Sequence, residues 1–257
     1  MWIIANGAPK SGSSWLYNIC RHSGRFCEPP QPLRAESWAT PSVDSTKLTV
    51  ARNTLAKDGQ LFLSKQHIAT NKLGLLQTEG IVVMNIIRDI RDMILSRYHQ
   101  EVRLHGLKLP LDQFLEQQSE QYIQQYVQYH RSWISDPERS RSNYFMASYE
   151  MLLDDTPSEV ARIFTFLGIE LPEETKQVIL KKTSFERAKK KGPGEFLRKG
   201  KAGSYLEEMS VSESENILKM ADHHGLRSVK AMIAEFEPML APTLRQTDVG
   251  LPVLPAA

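Results

Sequence analysis

The chain predicts an α/β fold: a single P-loop-like domain with a central parallel sheet flanked by helices. Three observations carry this. The stretch WIIANGAPKSGSSWLYNIC, residues 2 to 20, runs as an apolar strand, breaks into a Gly/Ser loop and resumes with helical spacing. The run IVVMNII, residues 81 to 87, has the composition of a strand buried on both faces. Strand-like and helix-like segments then alternate along the chain.

The elements follow in order. Trp2–Asn6 reads as a short buried strand, and Ser13–His22 as a helix with Trp15, Leu16, Ile19 and Cys20 on its apolar face. Residues 25–45 are rich in Pro, Ser and Thr and read as a long irregular segment of the kind reserved for function. Leu61–Leu63 is a short strand and Ile81–Ile87 a central one. The segment RDIRDMILSRYHQEV, opened by Arg88, has helical period. Leu111–Ser132 reads as one long polar helix rich in Gln. Asn143–Ser148 is a further strand. Short helices follow it through Leu167, ended by Gly168. Pro172–Lys182 is a helix with proline in its first turn. Residues 189–204 form a Lys/Gly/Pro loop, and two helices follow near 211–224 and 226–237. The chain divides into a domain over 1–241 and a C-terminal tail over 242–257.

With 257 residues the chain has enough length for one domain with a sizeable core. Its 41% hydrophobic and 24% charged content is that of a soluble globular protein. A net charge of +2 is too mild for nucleic acid as a partner, but leaves room for a local anion pocket. Cys20 and Cys27 form neither a CxxC pair nor part of a His/Cys cluster, so no structural zinc and no disulfide framework are expected. A reducing, cytoplasmic setting fits. No apolar run is long enough to span a membrane, and no membrane partner is expected. The N-terminus reads as the first core strand rather than a signal peptide.

The first loop is the most informative segment. A Walker A loop reads GxxxxGK[ST], with lysine directly after the second glycine. Here Gly7 and Gly12 have that separation, but Ser13 follows and the lysine comes early, at Lys10. The glycines, the following helix N-terminus and the hydroxyls of Ser11, Ser13 and Ser14 still suit a phosphate. Taken alone, the same residues also suit an ordinary strand-to-helix turn capped by Ser and Gly.

PKSGSSW, Pro9 to Trp15, resembles the 5′-phosphosulfate loop of the cytosolic-type sulfotransferases, usually PKSGTTW. That family uses 3′-phosphoadenosine 5′-phosphosulfate (PAPS) as co-substrate and releases PAP. The resemblance implies that Lys10, Ser11, Gly12, Ser13 and Ser14 hold the phosphosulfate. Further motifs follow in the family's order. Arg88, Asp92 and Ser96 match its 3′-phosphate motif, and an arginine at a strand end with a serine two helical turns on can converge on one phosphate. RKGKAG, with Arg198, Lys199 and Gly200, matches the RKGxxG lid over the same phosphate. The family's Asp-Trp-Lys continuation is absent; Ser204, Tyr205 and Leu206 stand there instead, which leaves the lid's docking open. Trp15, Tyr149 and the Thr183-Ser184-Phe185 stretch match positions that contact adenine. Each of these, read alone, is equally a core, turn or solvated residue. Together they span residues 7 to about 203.

The family carries Lys-Thr-His at the end of its second core strand, and its histidine deprotonates the acceptor. Lys65-Gln66-His67 stands at that place. The resemblance therefore implies that His67 is the base, with Lys10 and Lys65 stabilising the leaving oxygen. A neutral imidazole is chemically suited to the task. Glu28 or Glu36 is the fallback base.

The expected activity is sulfuryl transfer from PAPS, without a metal, to a hydroxyl or amine-type nitrogen of a small molecule. Two readings compete. A P-loop kinase shares the fold but requires the Walker lysine that is missing. A non-catalytic nucleotide-binding module would not need Lys10 and His67. Chain size and the Gln-rich helix look similar to bacterial sulfotransferases that tailor secondary metabolites. Residues 25–60, 98–112 and the tail are expected to set the acceptor, and a cationic acceptor would call on Glu28, Glu36 or Asp44. The family's dimer motif is not evident, so no oligomeric state is assigned.

Overall fold

The structure is a computed structural model, which describes residues 1–35, 40–69, 74–134, 142–184 and 200–226. Four strands form its sheet: β1 (Trp2–Gly7), β2 (Phe62–Gln66), β3 (Ile81–Ile87) and β4 (Tyr144–Ser148). All pairings are parallel, in the order β2-β1-β3-β4. The order reverses at β1, so the first loop leaves the sheet at the switch point where α/β folds bind ligands.

Burial explains the apolar runs. Every residue of β1 and β3 is buried. Successive side chains of a strand point to opposite faces. Trp2 and Ile4 accordingly join one core with Val83, Met93, Phe114 and Trp133. Ile3 and Ala5 join the other, with Leu16, Met84, Phe145, Phe164 and Ile179.

Helices supply the rest of both cores. On the second face lie α1 (Ser13–Arg21), α6 (Tyr149–Asp154), α7 (Thr156–Phe166) and α8 (Glu173–Thr183). On the first lie α2 (Leu48–Leu55), α3 (Ile90–His105), α4 (Leu111–Gln117) and α5 (Ser119–Ile134). A single turn, α9 (Tyr205–Glu208), leads into α10 (Val211–His223), which packs on α3 and α5. Asp89, Ser148 and Asp155 cap their helices with side-chain oxygens, and Ser210 with Glu213 forms a full capping box on α10.

One expectation is corrected. The long helix expected over 111–132 is two helices, broken at Gln118, where φ is −128°. Beyond the irregular segment expected over 25–45, α2 forms a helix that the sequence reading did not assign, with Ala51 and Leu55 buried. The helix expected near 226–237 and the tail over 242–257 lie outside the described residues. Among the described residues no helix is long and apolar enough to cross a membrane.

Candidate active site

Each of the four parallel strands delivers a candidate group from its carboxyl end. β1 runs into the loop bearing Lys10, β2 into Lys65 and His67, β3 into Arg88 and β4 into Tyr149. Residues scattered from 10 to 149 therefore share one edge of the sheet, as parallel topology requires.

The first loop is tightly built. At Gly7 an added Cβ would lie 2.8 Å from Ile86 Cγ2, and at Gly12, where φ is +107°, 2.7 Å from Tyr149 Cδ2. Ser11 is fully buried and gives both its N–H and its hydroxyl to the Ala8 carbonyl, at 3.1 and 2.8 Å. It braces the turn, and a phosphate contact from its hydroxyl would need that bond to give way. Ser13 is buried at the start of α1, while Ser14 is exposed. No side chain caps α1, so its first N–H groups and positive dipole end are open to an anion. Lys10 is the one non-glycine residue with positive φ among those described, at 74°. Its carbonyl accepts from Arg88 Nη1 at 3.3 Å. The first loop thus touches the arginine that follows β3.

Charge is concentrated here. Burial, and then the like charges of Arg103, Arg88, Arg97 and Lys65, bring the Lys10 ammonium down to about 8. Burial also lowers Lys65. Glu101 meets Arg97 at 2.5 Å and Asp92 lies 3.7 Å from Arg88, yet Lys10 stays in a positive surrounding that suits an anion.

Arg88 and Trp15 both pack on Tyr149. The guanidinium carbon lies 4.0 Å from the centre of the Tyr149 ring. Tyr149 meets Trp15 edge to face, centroids 5.5 Å apart. Arg88 Nε and Trp15 Nε1 are both buried without a partner among the described residues. Such groups cost about 1–3 kcal/mol each when unpaired, so a ligand that met them would recover that cost. Ser96 lies half-buried on α3, two turns beyond Arg88. Thr183 is buried at the end of α8 and returns its hydroxyl to the Ile179 carbonyl, at 2.8 Å. Phe185, Arg198 and Lys199 lie outside the described residues. Gly200 lies within them, at φ 62°.

The segment that follows RKGKAG is docked, although the Asp-Trp-Lys continuation is missing. Buried Asp92 accepts from the N–H groups of Gly203 and Tyr205, at 2.8 and 3.2 Å, and lies 3.7 Å from Arg88 Nη2. Arg91 covers the Tyr205 ring at 3.9 Å, and His99 Nε2 meets Glu208 Oε2 at 2.6 Å. Helix α3, which begins two residues beyond Arg88, thus carries Ser96 together with Asp92, Arg91 and His99, the residues that hold the 203–208 segment.

His67 follows β2 directly. Its Nδ1 lies 2.6 Å from the Gly7 carbonyl oxygen. A carbonyl only accepts, so in the neutral ring Nδ1 carries the hydrogen and Nε2 keeps its lone pair. His67 is exposed at one side, while protein atoms crowd the ring enough to desolvate it. Desolvation first, and then Lys65 and Lys10 against the opposing Gly7 bond, push its pKa down to about 4. It is a neutral acceptor at physiological pH.

Of the fallback bases, Glu28 pairs with Arg34 at 2.9 Å and Arg21 at 4.0 Å, and Glu36 lies outside the described residues. Asp44, expected with them only for a cationic acceptor, caps the turn at Thr46.

A family profile decides between the readings of this geometry. The sulfotransferase domain profile matches residues 2–232. The chain belongs to the sulfotransferase domain family. This sulfotransferase is 26% identical over 230 residues to 3-beta-hydroxysteroid sulfotransferase of Cavia porcellus, covering 82% of this chain and 79% of the relative. It is 25% identical to Sulfotransferase 2A1 of Homo sapiens over 235 residues, covering 82% and 80%. In fold it is similar to mouse sulfotransferase SULT7A1 complexed with PAP, with a TM-score of 0.67, 16% identity and coverage of 91% and 88%. Retinol dehydratase in complex with retinol and PAP gives a TM-score of 0.64 at 19% identity, covering 88% and 82%.

Sequence motifs did not point to every group that shapes this sulfotransferase's site. Asn6, the Gly7 carbonyl and the Glu208 partner of His99 are missed. Asn6 had a signal, being a lone amide in an otherwise apolar strand.

Proposed function

We propose that this sulfotransferase transfers the sulfuryl group of PAPS to a hydroxyl or amine-type nitrogen of a small molecule, with His67 as base. The observation that carries the proposal is the 2.6 Å contact of His67 Nδ1 with the Gly7 carbonyl, which leaves Nε2 free to accept a proton. The cationic loop, the open helix terminus and the unpaired N–H groups of Arg88 and Trp15 suit a nucleotide with anionic groups at both ends. PAP in the solved structures of two neighbours supports the same ligand.

The acceptor oxygen or nitrogen attacks sulfur while the bond from sulfur to the bridging phosphate oxygen breaks, giving a sulfated product and PAP. Its proton goes to His67 Nε2. Lys10 meets the negative charge that grows on the bridging oxygen, with Lys65 beside it. Arg88, Ser96 and the lid residues Arg198, Lys199 and Gly200 hold the 3′-phosphate, with Trp15, Tyr149, Thr183 and Phe185 at the base. Hydroxysteroid sulfotransferases among the relatives, and the retinol and androsterone bound by retinol dehydratase, support a small acceptor. The engagement of Glu28 and Asp44 disfavours a cationic one.

Incubation with sulfur-labelled PAPS and a panel of small alcohols, phenols and amines tests this. Label is expected in a sulfate ester or sulfamate of one panel class. Label found only as inorganic sulfate would contradict the proposal.

A further inference from the structure

We propose that Asn6 is a positioning residue for His67, holding the imidazole where it can take the acceptor's proton. The inference rests on His67 being the base. Asn6 is fully buried near the end of β1, and backbone pairing of β1 with β2 ends at Asn6 and Gln66. The Asn6 side chain then takes over. Its Oδ1 accepts from the Ile68 N–H at 2.9 Å, and its Nδ2 donates to the Ile68 carbonyl at 3.0 Å. The carboxamide thus acts as one more rung of the ladder beyond the strand end.

His67 lies between Gln66, fixed by the sheet, and Ile68, fixed by Asn6. Trp133 Nε1 gives the Ile68 carbonyl a second donor at 2.8 Å, and the Ser132 hydroxyl donates to the Ala69 carbonyl. With both neighbours held, the His67 ring meets the Gly7 carbonyl. Gly7 directly follows Asn6, so one strand end governs both the backbone and the ring of the base. A carboxamide suits this post because it offers a donor and an acceptor in one plane without charge. Alanine would leave the buried Ile68 N–H unpaired, and aspartate would bury a charge.

The test compares Asn6→Ala, Asn6→Ser, His67→Ala and the Asn6→Ala/His67→Ala pair. Turnover, PAPS KM, PAP affinity and the imidazole ¹⁵N shifts of His67 are measured. Asn6→Ala should lower kcat at least tenfold while PAP affinity changes less than twofold. The His67 spectrum should pass from one Nδ1–H tautomer to a mixture, and Asn6→Ser should recover part of both effects. The kcat effect should vanish when His67 is already alanine. Unchanged kcat, an equal loss in both backgrounds, or an unchanged His67 spectrum would overturn the inference. If Asn6→Ala does not fold, Asn6→Ser and Trp133→Phe, which removes only one donor to Ile68, must show the same kcat-selective loss. Wild-type turnover by His67→Ala would instead sink the base reading. An inactive His67→Ala beside a fully active Asn6→Ala would sink this inference alone.

Discussion

Lys10 combines a left-handed backbone with an ammonium placed among Arg103, Arg88, Arg97 and Lys65. Its conformation costs roughly 1–2 kcal/mol, and Arg88 helps to hold it through the Lys10 carbonyl. Because the free protein's Lys10 titrates at about 8, and a phosphosulfate favours the charged form, binding should take up a proton near that pH. Affinity for PAP should therefore fall as pH rises through 8, and calorimetry in buffers of different ionisation enthalpy should detect the uptake. Lys10→Met should cost about 10²–10³ in kcat, the scale of losing one preorganised donor. For His67 the sign is reversed. Only the neutral ring accepts a proton, so kcat/KM should drop on the acid side, through a pKa near 4 in the free enzyme. The loop, Arg88 and His67 were legible because each is a motif residue at a strand end. Asn6 was not, because its role is a contact across 62 positions of sequence.

At the scale of elements, α3 joins the proposed 3′-phosphate site to the 203–205 segment. Asp92 holds the Gly203 and Tyr205 N–H groups while lying against Arg88. Asp92→Asn should weaken PAP at least tenfold and 5′-AMP less than twofold, as measured by titration calorimetry. Equal weakening of both would assign Asp92 a purely structural part. This docking was illegible in the sequence, since the groups that Asp92 holds are backbone N–H groups, which no side-chain motif marks. Strands β1 and β3 were legible because both faces are buried, which enforces apolar runs. The break between α4 and α5 was not, because neither glycine nor proline marks Gln118. Helix α2 was hidden by the Pro-rich composition before it, although Ala51 and Leu55 lie on one face.

Over the whole molecule, two cores and one sheet edge divide the work between stability and chemistry. One buried group couples stability to pH. His130 on α5 is 1% exposed with neither ring nitrogen bonded among the described residues, and burial pushes it down to about 4. Unfolded histidine titrates near 6.5, so between about 6.5 and 4 the unfolded chain binds more protons. The stability present above that window is lost as pH falls through it, by at most about 1.4 kcal/mol per pH unit for this one group. His130→Phe should flatten the fall of Tm between pH 7 and 5, and an unchanged slope would place the acid sensitivity elsewhere.

The central claim is that this family member moves a sulfuryl group from PAPS with His67 accepting the proton. Single-turnover transfer from saturating labelled PAPS to an accepted substrate, by wild type and His67→Ala, tests it most directly. Complete transfer by wild type is expected. The variant should be slower by about 10²–10⁴, the scale of general base catalysis, with PAP affinity unchanged within twofold. Equal rates, or transfer that does not require PAPS, would contradict it.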